Sequence, residues 1–314
     1  MAPLTITEYR DRIIGQCEKV IVGKRAVIEK VLICFLCSGH ILLQDVPGTG
    51  KTMLLRAFSA TMGGRFKRVQ FTPDLLPSDL TGINYYNQKT GEFQFRPGPI
   101  FSNLILADEI NRATPRTQSA LLEAMAERQV TVDGETHVME EPFMIMATQN
   151  PLESQGTFPL PEAQTDRFFM RLSLGYMERE QELSVLTGTD TAEVVASLSP
   201  LVTPEDTAEA KRAVGAIEVA PDVAGYLMDL VTATREDSRI RIGVSTRGAL
   251  ALYKASQAAA ALAGRSFVTP EDVKSLAPSV LAHRIVMAIG GKMYESEALI
   301  SELAEHCRVP MEAR

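Results

Sequence analysis

A chain of 314 residues is long enough for one large domain or two ordinary ones, and its 45% hydrophobic content can build a buried core. The formal net charge of −7 argues against a generally basic surface, so we expect no nucleic-acid partner, although a local basic channel would be invisible in this sum. The longest apolar stretch, Val31 to Cys37, is far shorter than the ~20 residues of a membrane span, and Met1 to Arg12 has no signal pattern. We therefore expect a cytoplasmic protein without a transmembrane segment.

Two amphipathic helices are predicted at the start of the chain. Apolar residues recur at helical spacing through residues 5–22 and again from Arg25 to Cys37. Within the second helix, Cys34 and Cys37 have the spacing of a zinc or redox pair, but no second Cys/His pair lies nearby in the sequence. We interpret both cysteines as small core residues.

The next stretch carries the most specific motif. Ile41 to Leu43 predicts a buried strand, and Asp45 to Thr52 (DVPGTGKT) is a Gly-rich turn that leads into a helix. Unpaired backbone N–H groups and the helix dipole make such a turn an anion site, with Lys51 reaching the β- and γ-phosphates and the Thr52 hydroxyl binding Mg²⁺. Asp45 departs from the strict motif, which has Gly at that position. The predicted nucleotide-binding residues of this stretch are Pro47, Gly48, Thr49, Gly50, Lys51, Thr52 and Met53.

Buried strands and two inserted hairpins follow. Residues 83–95 place aromatic residues around a polar Gly turn, and residues 129–139 flank Asp133-Gly134, a strong hairpin signal. Five strands alternating with helices predict an α/β fold, a parallel five-stranded sheet covered on both faces in an αβα arrangement. The five predicted strands are His40–Gln44, Phe66–Phe71, Asn103–Ala107, Phe143–Ala147 and Phe168–Leu174.

The pattern changes after about Tyr176, where no further buried strand is evident. Thr203-Pro204-Glu205-Asp206 and Thr269-Pro270-Glu271-Asp272 each combine a Thr N-cap, a Pro at the first helical position and acidic residues in the first turn. We therefore expect a nucleotide-binding core at 1–176 and a small all-α domain at 177–314. Its predicted helices are 178–187, 204–217, 221–236, 246–263, 270–289 and 294–306.

Polar residues near the strand ends supply chemistry that a P-loop alone lacks. Asp108 ends a buried strand and can hold the Mg²⁺ shell, and the adjacent Glu109 can polarise an attacking water. Asn150 follows the next strand, where ligands bind in open α/β sheets, and its amide could orient that water or touch the γ-phosphate. Arg167 precedes the fifth strand and could stabilise transition-state charge on phosphate. Arg247 opens a helix of the second half and could reach phosphate from there.

Each of these residues also has a purely structural explanation. The acidic pair after residue 107 could be a solvated strand end, and Asn150 could belong to a turn. Arg167 could form a surface ion pair with Asp166, and Arg247 could belong to ordinary helix-start chemistry. Their occurrence in this order after a P-loop favours the functional interpretation.

The order of these motifs resembles that of an AAA+ ATPase, and four strings are similar to the MoxR family. They are ADEINRA at 107–113, QSALLEAM at 118–125, ATQNP at 147–151 and GTFPLPEAQTDRF at 156–168. The resemblance covers nearly the whole chain and implies a five-stranded αβα core with a helical lid. It places Val22 and Gly23 near the adenine, and it makes the two hairpins the helix-2 insert and the pre-sensor-1 insert. It assigns Walker A to Lys51 and Thr52, Walker B to Asp108 and Glu109, sensor 1 to Asn150, the arginine finger to Arg167 and sensor 2 to Arg247.

The resemblance also implies hexameric rings of chaperone-like motors, often with partners that carry von Willebrand factor A domains. We therefore predict Mg²⁺-dependent ATP hydrolysis that remodels or matures a protein client, including cofactor or metal insertion. Two alternatives are a nucleotide-gated assembly scaffold that hydrolyses little and a DNA-acting AAA+ motor. Glu109, Asn150 and Arg167 weigh against the scaffold, and the acidic balance weighs against the DNA motor.

Overall fold

The structure, a computed structural model, describes residues 4–45, 48–149, 156–188, 190–288 and 293–309. Helices α1 (Ile6–Glu18) and α2 (Arg25–Leu36) precede the first strand, β1 (Ile41–Gln44). Helix α1 begins at a capping box, because the Thr5 hydroxyl accepts from the Glu8 amide and the Glu8 carboxylate accepts from the Thr5 amide. Both helices cover one face of the sheet that β1 enters.

The remaining elements of the first half alternate helices with strands and hairpins. In chain order they are α3 (Lys51–Met62), β2 (Phe66–Gln70), α4 (Pro77–Thr81), β3 (Gly82–Asn87), β4 (Glu92–Pro97), β5 (Leu104–Asp108), α5 (Pro115–Glu127), β6 (Gln129–Val132), β7 (Glu135–Val138), β8 (Met144–Gln149), α6 (Glu162–Thr165) and β9 (Met170–Leu172).

Five of these strands form one sheet in the order β2-β5-β8-β1-β9, and every neighbouring pair is parallel. The predicted fold is therefore confirmed. Strands β1, β5 and β8 are buried along their length except at the last residue, which is the pattern of a sheet covered on both faces. Because parallel strands end at the same edge, the P-loop and the ends of β5 and β8 meet there.

The two faces of the sheet pack against different helices. Successive strand residues alternate between them: Leu104 and Leu106 join one apolar cluster, and Ile105 and Ala107 join the other. The larger cluster holds α1, α2 and α3 and continues into helices of the second half through residues such as Leu252. The smaller cluster holds α4 and α5. The division of the chain after residue 176 stays a prediction.

The second half is mainly helical, as predicted. Its elements are α7 (Arg179–Thr187), α8 (Thr191–Ser197), α9 (Pro204–Gly215), α10 (Pro221–Glu236), β10 (Ile240–Ile242), α11 (Thr246–Leu262), α12 (Pro270–Leu281), β11 (Val286–Met287) and α13 (Met293–His306). The expected Thr203 cap is present, because its hydroxyl accepts from the Asp206 amide at 3.1 Å.

Three details of this half differ from the prediction. Helix α8 was not predicted, the helix expected over 270–289 ends at Leu281, and β10 and β11 pair antiparallel, so the half is not exclusively α-helical. Strands of two or three residues contain too few alternations to produce a recognisable period. None of the helices in the described ranges is long and apolar enough to cross a membrane.

Both predicted hairpins are present, and they contact each other. Strands β3 and β4 pair antiparallel, as do β6 and β7 around Asp133-Gly134. The Asn84 amide donates to Asp133 Oδ2 at 3.0 Å, and the Phe95 ring stacks on His137 with centroids 3.9 Å apart. The hairpins therefore form one projecting unit beside the sheet.

The four cysteines are free thiols. Cys34 is fully buried in the larger apolar cluster, and Cys37 is half-buried with its thiol 3.4 Å from the Lys254 carbonyl oxygen. No group of three or more His, Cys, Asp or Glu side chains suited to a metal ion occurs in the described residues. The structure thus supports core packing as the role of Cys34.

Candidate nucleotide-binding site

A cavity of about 350 Å³ lies at the carboxyl edge of the sheet, beside the P-loop. It brings the predicted phosphate-binding and strand-end residues together, although the chain separates them widely. The described residues that line it are Asp45, Gly48, Gly50, Lys51, Thr52, Met53, Arg68, Asp108, Glu109 and Thr148.

The P-loop reaches α3 through two left-handed glycines. Gly48 has φ 86° and Gly50 has φ 89°, conformations that residues with a Cβ rarely adopt. Helix α3 starts at Lys51, and its N-cap residue, Gly50, has no side chain with which to cap the helix. The N-terminus of α3 lies at the cavity, where its first N–H groups can bind an anion.

Asp45, which departs from the P-loop consensus, is a buried structural link. Its carboxylate accepts hydrogen bonds from the Ser173 hydroxyl at 2.8 Å, the Leu174 amide at 2.5 Å and the Gly175 amide at 3.1 Å. Its backbone carbonyl accepts from Lys51 Nζ at 3.2 Å. Asp45 thus ties the start of the P-loop to the segment that leads from β9 into the second half.

Thr148 contacts both the Asp108 carboxylate and the Glu109 backbone at the end of β5. Its hydroxyl donates to Asp108 Oδ1 at 2.6 Å and accepts from the Glu109 amide at 2.8 Å. Glu109 itself has φ 57° and ψ 49°, the left-handed region that non-glycine residues enter rarely and mostly at functional sites. This backbone turns the Glu109 side chain into the cavity next to Asp108.

Two residues of β2 contact the strand-end carboxylates, Arg68 from within the cavity lining and Gln70 from outside it, and the sequence patterns indicated neither. Arg68 donates to Asp108 Oδ2 from Nε at 3.0 Å and Nη2 at 2.6 Å. Gln70 donates from Nε2 to Glu109 Oε2 at 2.7 Å and accepts from Arg68 Nη2 at 3.1 Å. The Arg112 guanidinium lies 3.3 Å from the same Glu109 oxygen. Alternating polar residues on an edge strand look like a solvent face, and only the register, with Gln70 opposite Asp108, shows their role.

The oxygen atoms of Thr52 and Asp108 at this edge of the sheet are suitable ligands for Mg²⁺. Thr52 and Asp108 line the same cavity and offer a hydroxyl and a carboxylate, the hard oxygen ligands that Mg²⁺ prefers alongside phosphate oxygens and water. Asn150 and Pro47, two other predicted site residues, lie outside the described residues.

The predicted adenine contacts lie beside the P-loop. The Ile21 side chain would be 3.4 Å from a Cβ at Gly50. On the other side, Gln181 of α7 approaches Gly23 so closely that a Cβ there would fall 2.1 Å from the Gln181 amide nitrogen. The loop of Val22 and Gly23 is therefore placed between the P-loop and α7, while its contact with adenine stays a prediction.

Arg167 and Arg247 lie together in a second cavity, of about 400 Å³, and are absent from the described lining of the first. Both side chains are exposed. Arg167 donates to the Leu122 carbonyl oxygen at 2.9 Å, and the Arg247 guanidinium is 3.7 Å from Asp166 Oδ2. The structure therefore does not bring either arginine to the phosphate cavity of its own chain.

Asp166 joins the helical half to the sheet rather than pairing with Arg167. Its carboxylate accepts from Arg284 Nη1 at 2.6 Å and from the Ser245 hydroxyl at 3.3 Å. The Arg284 side chain is only 2% exposed and also donates to the Phe168 carbonyl oxygen at 2.6 Å. Burial lowers the pKa of Arg284, and the Asp166 carboxylate opposes that shift.

Comparisons with known proteins agree with this geometry. Residues 40–170 match the model of the ATPase family associated with various cellular activities (AAA), and residues 232–303 match the AAA lid domain. A crystal structure of a candidate ATPase from Cytophaga hutchinsonii is 39% identical, with a TM-score of 0.87 over 96% of both chains.

Named relatives cover most of the chain. YeaC of Bacillus subtilis, named as an uncharacterized protein, is 47% identical over 94% of this chain and 92% of its own length. The chaperone MoxR1 of Mycobacterium tuberculosis is 38% identical over 88% of this chain and 75% of its own length. Protein MoxR of Paracoccus denitrificans is 32% identical over 91% of each chain. The chain belongs to the MoxR family of AAA+ ATPases and is an ATP-hydrolysing enzyme.

Proposed function

We propose that this ATPase uses Mg²⁺-dependent ATP hydrolysis to remodel or mature a protein client, including insertion of a cofactor or metal. The observation that carries the proposal is the single cavity around which Lys51, Thr52, Asp108 and Glu109 converge. A cation, a hydroxyl and two carboxylates at a helix N-terminus are the groups that phosphoryl transfer to water requires.

Each residue has a distinct task in this proposal. Lys51 exchanges its bond to the Asp45 carbonyl for the β- and γ-phosphates, and Thr52 and Asp108 hold Mg²⁺. The metal, when bound, offsets charge on the phosphate oxygens. Glu109, whose Oε2 contacts Gln70 and Arg112, polarises the attacking water. Asn150 orients the same water.

The chaperone role is supported by the relative named as a chaperone, MoxR1, and by an exposed aromatic surface. On the first hairpin, Tyr86 is 53% and Phe93 is 74% exposed, and neither ring serves the sheet core. Exposed aromatic residues are typical of protein-binding surfaces. We propose that this hairpin contacts the client or a partner with a von Willebrand factor A domain.

Arg167 and Arg247 act across a subunit boundary in this proposal. Both are exposed and lie in a cavity other than the one that holds Lys51. A homo-oligomeric ring, six-membered as in the resemblance, would bring them to the ATP of a neighbouring subunit. We further propose that 1–176 and 177–314 are separate domains and that the ring acts in the cytoplasm.

Two variants test the phosphate site. Lys51→Ala should abolish tight ATP binding, because the main cationic contact to the β- and γ-phosphates is removed. Glu109→Gln should bind ATP like the parent but hydrolyse it about 10²-fold more slowly or worse, because only water activation is lost. A fluorescent ATP analogue measures binding, and phosphate release measures hydrolysis.

The same variants separate the alternatives. If Glu109→Gln hydrolysed ATP at the parent rate, the assignment of the site would be wrong, and a negligible parent rate would favour the scaffold. Proteins retained by the Glu109→Gln variant with ATP, and lost with Lys51→Ala, would identify the client. Salt-dependent binding of DNA by the parent would instead favour the DNA motor.

A further inference from the structure

One cation of the phosphate cavity has no role in the motifs described above. Arg68 lies on the edge strand β2 and lines the cavity together with Lys51 and Asp108. Its side chain is 49% exposed, and that of Asp108 is 14% exposed. The Arg68 guanidinium makes two of its hydrogen bonds to a single oxygen, Asp108 Oδ2.

Both oxygens of the Asp108 carboxylate already accept hydrogen bonds. Oδ1 accepts from the Thr148 hydroxyl at 2.6 Å, and Oδ2 accepts from Arg68 at 2.6 and 3.0 Å. A carboxylate in a Mg²⁺ shell must direct an oxygen at the ion or at one of its waters. Because Arg68 and Mg²⁺ carry charges of the same sign, they repel each other at Oδ2. A cation bound at Asp108 would therefore compete with the Arg68 guanidinium for Oδ2.

A phosphate group is the natural new partner for this guanidinium. Arg68 is long and half exposed, so its head group can rotate within the cavity while its strand stays paired with β5. A guanidinium binds phosphate oxygens through paired N–H donors, and the anion-binding N-terminus of α3 lines the same cavity.

We propose that Arg68 is a γ-phosphate-binding residue that discriminates ATP from ADP: it leaves Asp108 when the cation binds and transfers to the terminal phosphate. The proposal rests on the proposed function of the same cavity. It adds a contact supplied by the subunit that holds the nucleotide, distinct from the exposed arginines of the second cavity.

Arg68→Ala tests the proposal, with Arg68→Lys as the conservative variant and Lys67→Ala as the matched control. Lys67 is the preceding residue of β2, is exposed, and lines a different cavity with Arg65 and Phe101. Its replacement removes the same charge from the same strand. Thermal melts establish that each variant is folded, and Arg68→Lys, which keeps a cation at this position, serves if Arg68→Ala does not fold.

The readouts are affinities rather than turnover. With Mg²⁺ present, Arg68→Ala should bind a fluorescent ATP analogue about tenfold more weakly and the matching ADP analogue within about twofold of the parent, because only the terminal phosphate loses a contact. Without nucleotide, it should bind Mn²⁺, measured by electron paramagnetic resonance, about threefold more tightly, because a competing ion pair at Asp108 is gone. Arg68→Lys should lie between, and Lys67→Ala should match the parent.

Equal losses of ATP and ADP affinity in Arg68→Ala would overturn the proposal, because they would indicate a structural role. Unchanged affinities for ATP and Mn²⁺ would overturn it as well. If the parent itself failed to bind the ATP analogue, the proposed function of the cavity would fall, and with it this inference.

Discussion

Two cavities of similar volume, about 350 and 400 Å³, differ in the charged side chains that line them and in how those side chains are paired. In the phosphate cavity, the carboxylates of Asp45, Asp108 and Glu109 are each bonded to partners of the same chain. Among the described residues that line it, the second cavity has one carboxylate, that of Asp166, and five cations. These cations are Arg128, Arg167, Arg247, Lys254 and Arg284. The first cavity is lined by paired carboxylates, whereas the described lining of the second has a positive excess even though Glu141, outside that lining, pairs with Arg128. In the shared-site proposal, the phosphates of a neighbouring subunit's ATP balance this excess.

The largest expected effect concerns the sharing of an active site. Arg167→Ala and Glu109→Gln should each lower ATP turnover by about 10²-fold or more, because one removes a transition-state cation and the other water activation. Mixed as monomers and reassembled, they should regain up to about a quarter of parent activity, the fraction of interfaces that pair an intact Glu109 with an intact Arg167. Phosphate release measures the recovery.

No recovery at any mixing ratio, with reassembly confirmed by mass, would contradict the shared site. The basic side chains of the second cavity would then not serve to bind the ATP of a neighbouring subunit.

Replacement of Asp166, the carboxylate of the second cavity, is expected to cause a large loss of stability. Asp166→Asn leaves the buried Arg284 without its carboxylate partner, which should lower the free energy of unfolding by about 3 kcal/mol or more. Glu162→Gln is the matched control, because the Glu162–Arg241 ion pair at 3.1 Å is exposed on both sides and should matter by less than about 1 kcal/mol. Urea melts of both variants provide the comparison. Equal effects would mean that Asp166 does not anchor the helical half.

A smaller effect, on how stability depends on pH, is expected from His40, which also lines the second cavity. Its Nδ1 accepts from the Ile145 amide at 3.0 Å, and burial lowers the pKa of His40 from 6.5 to about 4, against the hydrogen bond to the Met125 carbonyl. Between these values the unfolded chain binds more protons than the folded chain, so stability is lost as pH falls through this window. The contribution of this group is about 3 kcal/mol at most.

Urea melts at pH 7, 5.5 and 4.5 measure this loss, and His40→Gln should show a shallower decline. Buried His283, whose pKa is also lowered by burial, stays present in both proteins and acts in the same direction. The same decline in parent and variant would contradict the assignment to His40.

The smallest stability effect is expected at the hairpin, away from both cavities. Phe93→Ser and Tyr86→Ser should change the free energy of unfolding by no more than about 0.5 kcal/mol, because both rings are largely exposed, yet client capture should be lost. Val138→Ser on the second hairpin, at a residue 70% exposed, is the control and should keep capture. Loss of a cooperative melt in Phe93→Ser would instead indicate that the Phe93 ring belongs to the core.

Features that depend on neighbouring residues were predictable from the sequence. The apolar runs of the inner strands, the cap at Thr203, the Gly-rich turn before Lys51 and the acidic pair at Asp108 each leave a local pattern. These patterns led to the parallel five-stranded sheet and, through the meeting of strand ends, to the location of the phosphate cavity.

Features that depend on how distant segments meet were decided only by the tertiary structure. The β2–β5 register, which places Gln70 opposite Asp108, gives Arg68 and Gln70 their carboxylate partners. The segment after β9 surrounds the Asp45 carboxylate with donors. Arg167 and Arg247 lie in a cavity apart from the P-loop because the helical half docks through Asp166 and Arg284. Strand register and docking arise from contacts between residues far apart in the chain, and no local periodicity encodes them.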